Sequence, residues 1–282
     1  MIMIMIMIII LIMIMIIIII IIIIIIIIIK RNNKKEVDNE GYKYLGFLEL
    51  DKFKERETKD IFQTENLRWF KLVMKSQLSG KNQITAANTW AVSLMRYGAR
   101  TIKWNKEELQ EIDRKSRKIM TTNKELHPRS DVAKINVPGK KGGRGLISVE
   151  SCVRREENDL SSYARNSEAL LRKVGDSNVV NISEAVDPKE YKVNEAKESE
   201  NEWKQKRMHG QYVKEKECID WDRTWHWIPK GDLKGCTEAL ICSAQEQALR
   251  TNYMRFHIDH TAEFPLCRMC GSKGKTVARV VS

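Results

Sequence analysis

Residues 1–29 are 22 Ile, 6 Met and one Leu, with no polar side chain among them. About 20 apolar residues suffice to cross a bilayer as a helix. At about 1.5 Å per residue this run would reach about 43 Å, longer than a hydrocarbon core of ~30 Å. Lys30, Arg31, Lys34 and Lys35 follow at once, a charge placement that would hold the C-terminal side in the cytoplasm. Hydropathy therefore reads the run as a single-pass anchor. A second reading competes with it. Natural spans mix Leu, Val, Ala, Phe and Gly with interfacial aromatics, whereas this stretch is close to a homopolymer. Every residue in it can be encoded by AT-rich triplets differing at one base, as expected of a translated microsatellite. β-Branched Ile is also a middling helix former that aggregates readily outside lipid.

Everything else in the chain is of a different character. Without residues 1–29 the apolar fraction falls from 43% to roughly a third. All of the charge lies on residues 30–282, 49 basic against 37 acidic side chains for a net +12. A pI of about 9.4 favours a polyanionic partner: RNA, DNA or an anionic lipid surface. No small-residue cleavage site follows the apolar run, so no secretory signal is read. Of the cysteines, only Cys267 and Cys270 form a C-x-x-C pair; a reducing compartment is the default. The expected location is a membrane if residues 1–29 are translated, and otherwise the cytoplasm or nucleus.

The spacing of apolar residues divides the chain further. Residues 30–40 read as a solvated basic linker, and Tyr42 to Leu50 as a strand or hairpin arm. Leu67, Phe70, Met74 and Leu78 predict a helix from Thr64 that stops at Gly80. Ile84, Ala87, Ala91, Leu94 and Gly98 mark one face of a second helix. A third opens at Asn105 with Glu108 three residues on, a capping-box pattern, and buries Leu109, Ile112, Ile119 and Met120. Its acids come first and its bases last, which suits the helix dipole and leaves Arg114, Lys115, Arg117 and Lys118 as one basic cluster. Pro138 to Gly145 (PGKKGGRG) reads as a flexible basic loop, with Lys140, Lys141 and Arg144 beside backbone N–H groups free to approach phosphate. It is not a Walker loop. A long helix is predicted from about Ser148 to Val174, a linker over 176–200, and a last helix from Thr237 to about His257. Trp221, Trp225 and Trp227 suit either a small core or a base-stacking surface. The five histidines (127, 209, 226, 257 and 260) and Cys152 carry no nucleophile-and-base pattern.

Seven stretches taken together resemble one family. They are YKYLGFLE (42–49), NTWAVSLMRYGA (88–99), ELQEIDRKSRKIM (108–120), LHPRSDV (126–132), GGRGLISVESCV (142–153), AQEQALRTNY (244–253) and CRMCGSKGKTVA (267–278). Their order and wording are similar to the C-terminal part of reverse transcriptases from non-LTR retrotransposons with a single zinc knuckle, over about residues 41–282. The resemblance implies a mainly α fold, in which a short strand or hairpin remnant after the palm precedes a thumb-like helical bundle that grips template and primer. It implies a post-palm and thumb region within 41–175 and the start of a knuckle over 267–282; the polar, periodless 176–200 is read as a linker and 201–266 as a helical region.

The resemblance also marks what to expect of activity. Reverse transcription needs clustered aspartates holding two metal ions, including an adjacent Asp-Asp pair upstream of YKYLG. The Ile run stands there instead, and no Asp-Asp dipeptide occurs in the chain. The expectation is a truncated copy that is no enzyme by itself, takes no small-molecule substrate and binds RNA or DNA backbone non-specifically. The runner-up is a membrane-anchored basic protein, and a third reading is a non-functional pseudogene product. For metal, Cys267 and Cys270 would be half of a zinc knuckle, but the family's His position falls on Arg279, which cannot ligate, and Ser282 precedes the last Cys. An improvised set adding His257 and His260 is the remaining route, so the expected site is incomplete and no cofactor is assigned.

Overall fold

The computed structural model describes residues 42–44, 47–49, 55–167, 184–206, 209, 220–267 and 270–274. The readings for 1–29, for 30–40 and for Arg279 lie outside these residues. Among the described residues no helix is long and apolar enough to cross a membrane. The chain divides into two units, Met1–Ile61 and Phe62–Ser282. In the first, β1 (Tyr42–Tyr44) pairs antiparallel with β2 (Phe47–Glu49), with Tyr42 opposite Glu49 and Tyr44 opposite Phe47.

The second unit is mainly helical. Helix α1 (Glu55–Met74) begins earlier than the Thr64 expected, with Glu55 and Glu57 in the first turn where the dipole favours acids. Phe62, Asn66, Phe70 and Met74 recur every fourth residue on its buried side. It stops at Met74, and Gly80 is not its cap. Gly80 instead opens α2 (Gly80–Ala86), and a Cβ there would lie 2.2 Å from the Glu238 carboxylate. Leu78, expected inward, is exposed.

A π turn (Ala87–Ala91) joins α2 to α3 (Val92–Ala99). One π turn holds an extra residue, so the buried face moves on by one position: Met95 is inside where Leu94 was expected. Helix α4 (Lys106–Thr122) starts as predicted, with the Asn105 N–H donating to Glu108 Oε2 at 2.9 Å. Leu109, Ile112, Ser116 and Met120 are buried, and Ile119 is half-buried against the same core. The helix ends in a Schellman motif: Lys124 takes φ 63°, its N–H meets Thr121 O, and the Glu125 N–H meets Met120 O.

After the short α5 (Val132–Asn136) comes α6 (Val149–Asn166). Ser148 caps it, and the Asp113 carboxylate accepts the Val149 and Glu150 N–H groups at 2.7 and 3.1 Å. The helix was expected to run on to Val174, but it closes at Asn166. The linker expected over 176–200 is largely helix α7 (Pro188–Gln205). Asp187 accepts the Lys189 and Glu190 N–H groups and Pro188 sits at the first helical position, a start signal that outweighs the sparse apolar pattern.

Helices α8 (Trp221–Trp225) and α9 (Trp227–Lys230) carry the clustered tryptophans. Trp225 and Ile228 form a core with Ala133, Val137 and Trp203, against which Trp221 and Trp227 pack. Trp225 is therefore a core ring, with Trp221 and Trp227 half-buried against it. The last predicted helix is in fact two, α10 (Gly235–Gln245) and α11 (Asn252–His257). Gln247, at φ 55°, breaks it by a second Schellman motif, with Gln247 N–H to Ala244 O and Ala248 N–H to Ser243 O.

Candidate nucleic-acid interface

Thr64, Arg68, Lys71 and Lys75 lie at i, i+4, i+7 and i+11 on α1, and therefore on one stripe. Lys115, Lys118 and Thr122 form a matching stripe on α4. The two stripes, with Leu67, Ile119 and Asn123, line a groove of 720 Å³. Five of its ten lining side chains are cationic and none is acidic. The burial of the opposite faces holds this geometry in place. Phe70, Met74 and Met120 share one hydrophobic core, so the cations on the other side of each helix must face water. Asn66 adds a pin, donating to the Ala91 carbonyl of the π turn at 2.7 Å.

Neighbouring carboxylates engage only part of this charge. Glu65 holds Arg68 at 2.7 Å, and Glu111 stands 3.7 Å from Lys115. Both contacts are within one helix between partly exposed side chains, where such pairs contribute a few tenths of a kcal/mol. The residue spacing within each stripe suits a polyanion whose charges repeat along a line, and no carboxylate is among the residues that line the groove.

The seven basic residues singled out from the sequence separate into different roles. Lys115 and Lys118 line the groove. Arg114 is exposed but turned to Glu111 as an ion pair. Arg117 stands near Asp113, whose carboxyl burial pushes up to about 6 despite the two N–H groups it accepts. Lys140 and Lys141 are exposed on a 3-10 turn (Gly139–Lys141), with Lys141 4.0 Å from Glu200. Arg144 is a correction. Its side chain is 4% exposed and bound to the Glu125 carbonyl and, at 3.0 Å, to Glu238. It cannot reach a phosphate outside.

The glycine loop is corrected with it. The N–H groups of Gly142, Gly143, Arg144 and Gly145 donate to the carbonyls of Gly139, Pro138, Lys134 and Val137. The backbone donors that would have cradled phosphate are thus spent inside the fold. The glycines serve close packing instead. At Gly142 (φ 92°) a Cβ would fall 2.7 Å from the Trp225 ring, and at Gly143 2.0 Å from the Val137 oxygen. Asn88 clamps the loop's exit, donating to Gly145 O and accepting from Ile147 N, both at 2.9 Å.

Cys267 and Cys270 stand in a tight turn, with Gly271 N–H to Cys267 O and Cys267 N–H to Lys273 O at 2.8 Å. Hydrogen bonds from the Ser272 and Lys273 backbone lower the Cys270 thiol to about 6. Among the described residues no group of three or more His, Cys, Asp or Glu stands within range of one metal ion. His257 lies against Tyr253 and Phe256, with ring centroids 4.3 and 4.9 Å away, and His260 adopts φ 52°. Cys152 is buried, its thiol pushed to about 11 by desolvation, and is unfit as a nucleophile.

Arg68, Lys71 and Lys75 were not singled out from the sequence. Their signal was present, since three cations at helical spacing alternate with Phe70 and Met74, but it is weak until a second basic stripe stands opposite. Comparison of the chain with protein-family models, with curated proteins and with solved structures found no match.

Proposed function

We propose that this chain binds the phosphate backbone of RNA and DNA in the groove between α1 and α4, and that it is the thumb-side remnant of a non-LTR retrotransposon reverse transcriptase. The observation that carries the binding is the pairing of Arg68, Lys71 and Lys75 with Lys115 and Lys118 across a groove lined by no acid. The attribution to the family is supported by the seven sequence stretches given above and by nothing else. In this reading the strands Tyr42–Glu49 stem from the region after the palm, and α1 to α4 are the thumb. Polymerisation is not expected, because the sequence carries no Asp-Asp pair for the metal ions.

Binding to phosphates releases counterions, so affinity falls with salt in proportion to the contacts made. The test is fluorescence anisotropy of labelled RNA and DNA with the full chain in non-ionic detergent, over a range of salt. Replacing Lys71, Lys115 and Lys118 with Ala is expected to lower the log–log slope by about three. Salt-insensitive binding, or no binding at low salt, refutes the reading. Template-dependent nucleotide incorporation with Mg²⁺ or Mn²⁺ would refute the expectation of no polymerisation.

A further inference from the structure

Beside the groove stands an aromatic pair that backbone binding does not use. Trp90 is 59% exposed, a large apolar ring left in water, and it sits in the π turn between α2 and α3. Its indole meets that of Trp69 at 5.7 Å between centroids, tilted by 43°. Trp69 is fixed: it is half-buried against the core formed by Phe70, Ala87 and Ala91. Over the Trp69 ring, 4.6 Å from its centroid, lies the guanidinium of Arg68, which also lines the groove. The centre of the Trp90 ring is therefore no more than about 10 Å from a groove cation.

We infer that Trp90 is a stacking platform for an unpaired base and that the groove prefers single-stranded nucleic acid to duplex. The inference rests on the backbone-binding reading of the same groove. A strand whose backbone passes Arg68 at the edge of the groove brings its bases towards Trp90, whose ring centre is within about 10 Å of that guanidinium. In a duplex those bases are stacked on one another and paired, and their faces are closed to an indole. In a single strand each base presents a face, and stacking on an aromatic side chain accepts any base. Two features of the protein suit this role. Trp69 holds Trp90 from behind, so little freedom is lost when a base arrives. π Turns are enriched at functional sites, and here the extra residue sets Trp90 outward between the buried Ala87 and Ala91. Arg68, already over the Trp69 ring, adds a planar cation to the aromatic pair.

The experiment compares three fluorescent probes of equal length, oligo(dT), oligo(rU) and a hairpin duplex, against the full chain in non-ionic detergent. The wild-type protein is expected to bind both single strands more tightly than the hairpin. Trp90→Ala should weaken single-strand binding about tenfold while leaving hairpin binding and the salt slope unchanged. Trp90→Phe should recover most of the loss, which separates stacking from a folding defect, as does an unchanged thermal melt. A difference between the oligo(dT) and oligo(rU) arms would assign the strand as DNA or RNA. If Trp90→Ala weakens all probes equally, or none, the stacking inference falls while the backbone groove stands. If the wild-type protein binds no probe at low salt, the groove reading itself falls and this one with it.

Discussion

The α1–α4 groove and the glycine loop look alike as sequence and are opposite as structure. The α4 stretch Arg114–Lys118 and the loop each hold several cations within a short span, and each suggested a phosphate contact. On the groove side Lys71, Lys75, Lys115 and Lys118 lie along helix faces whose reverse sides are buried, so the charges are driven outward. On the loop side the backbone turns in on itself and delivers Arg144 to two buried glutamates. Charge density in the sequence does not say which of these happens; the accounting of backbone donors and acidic partners does.

The largest effect should come from the loop. Arg144→Met removes the cation paired with Glu238, which is itself 3% exposed, and frees the Glu125 carbonyl. Breaking one partner of a buried pair costs about 3–5 kcal/mol. Denaturant unfolding should show that loss, whereas Lys71→Ala and Lys118→Ala should stay within about 0.5 kcal/mol of wild type. An Arg144 variant with normal stability but a lower salt slope would erase the distinction between the two regions.

A second test uses pH on one side and salt on the other. Glu246, fully buried, is pushed up to about 7 by desolvation, and Glu125 and Glu238 are raised by the same cause. For an acid whose folded pKa lies above its unfolded value, the folded state binds the proton more tightly. Stability should therefore be greatest below the usual carboxylate range and fall as pH rises towards about 7. For Glu246 alone the fall is about 3 kcal/mol at most. Glu246→Gln should flatten the profile between pH 5 and 8, and an unchanged slope would show that the carboxyl is not held neutral. Groove binding should follow salt over the same window.

Much of the helical framework was legible because it rests on apolar period. Phe70, Met74, Ile84, Leu109 and Ile112 all fell on the faces expected of them, and the Asn105–Glu108 start was read from four residues. What was not legible depended on partners distant in sequence. Gly80 reads as a stop until Glu238 is seen to occupy its missing side chain. Gln247 and Lys124 hold left-handed backbone that their residue types do not announce. Helix α7 was missed because its apolar face is little more than Trp203, which needs Trp225 to make it a core residue. The groove had a mixed outcome for the same reason: one stripe was seen, and the other has meaning only opposite the first.

Asp113 offers a finer comparison, since it faces away from the groove on the same helix that supplies Lys115 and Lys118. Its carboxylate caps α6 through Val149 and Glu150, the contact expected of a good N-terminal acceptor. Asp113→Ala should cost about 1 kcal/mol of stability with no change in salt slope. Asp113→Asn should recover part of it, because one oxygen still accepts. A binding defect in a stable Asp113 variant would mean that the two faces of α4 are coupled.

The smallest effect is expected where the two regions come closest to sharing a role. Lys140 and Lys141 remain exposed on the turn Gly139–Lys141, so burial does not exclude them as it does Arg144. They do not line the groove, however, and Lys141 already stands 4.0 Å from Glu200. Replacing both with Ala removes two charges from a protein of net +12, a change in the long-range field that salt screens within about 8 Å at physiological strength. The log–log slope should therefore fall by well under one, against about three for the groove triple variant. A fall near two would mean that a bound strand leaves the groove and passes over this turn, making the loop's outer edge part of the interface even though its inner edge is core.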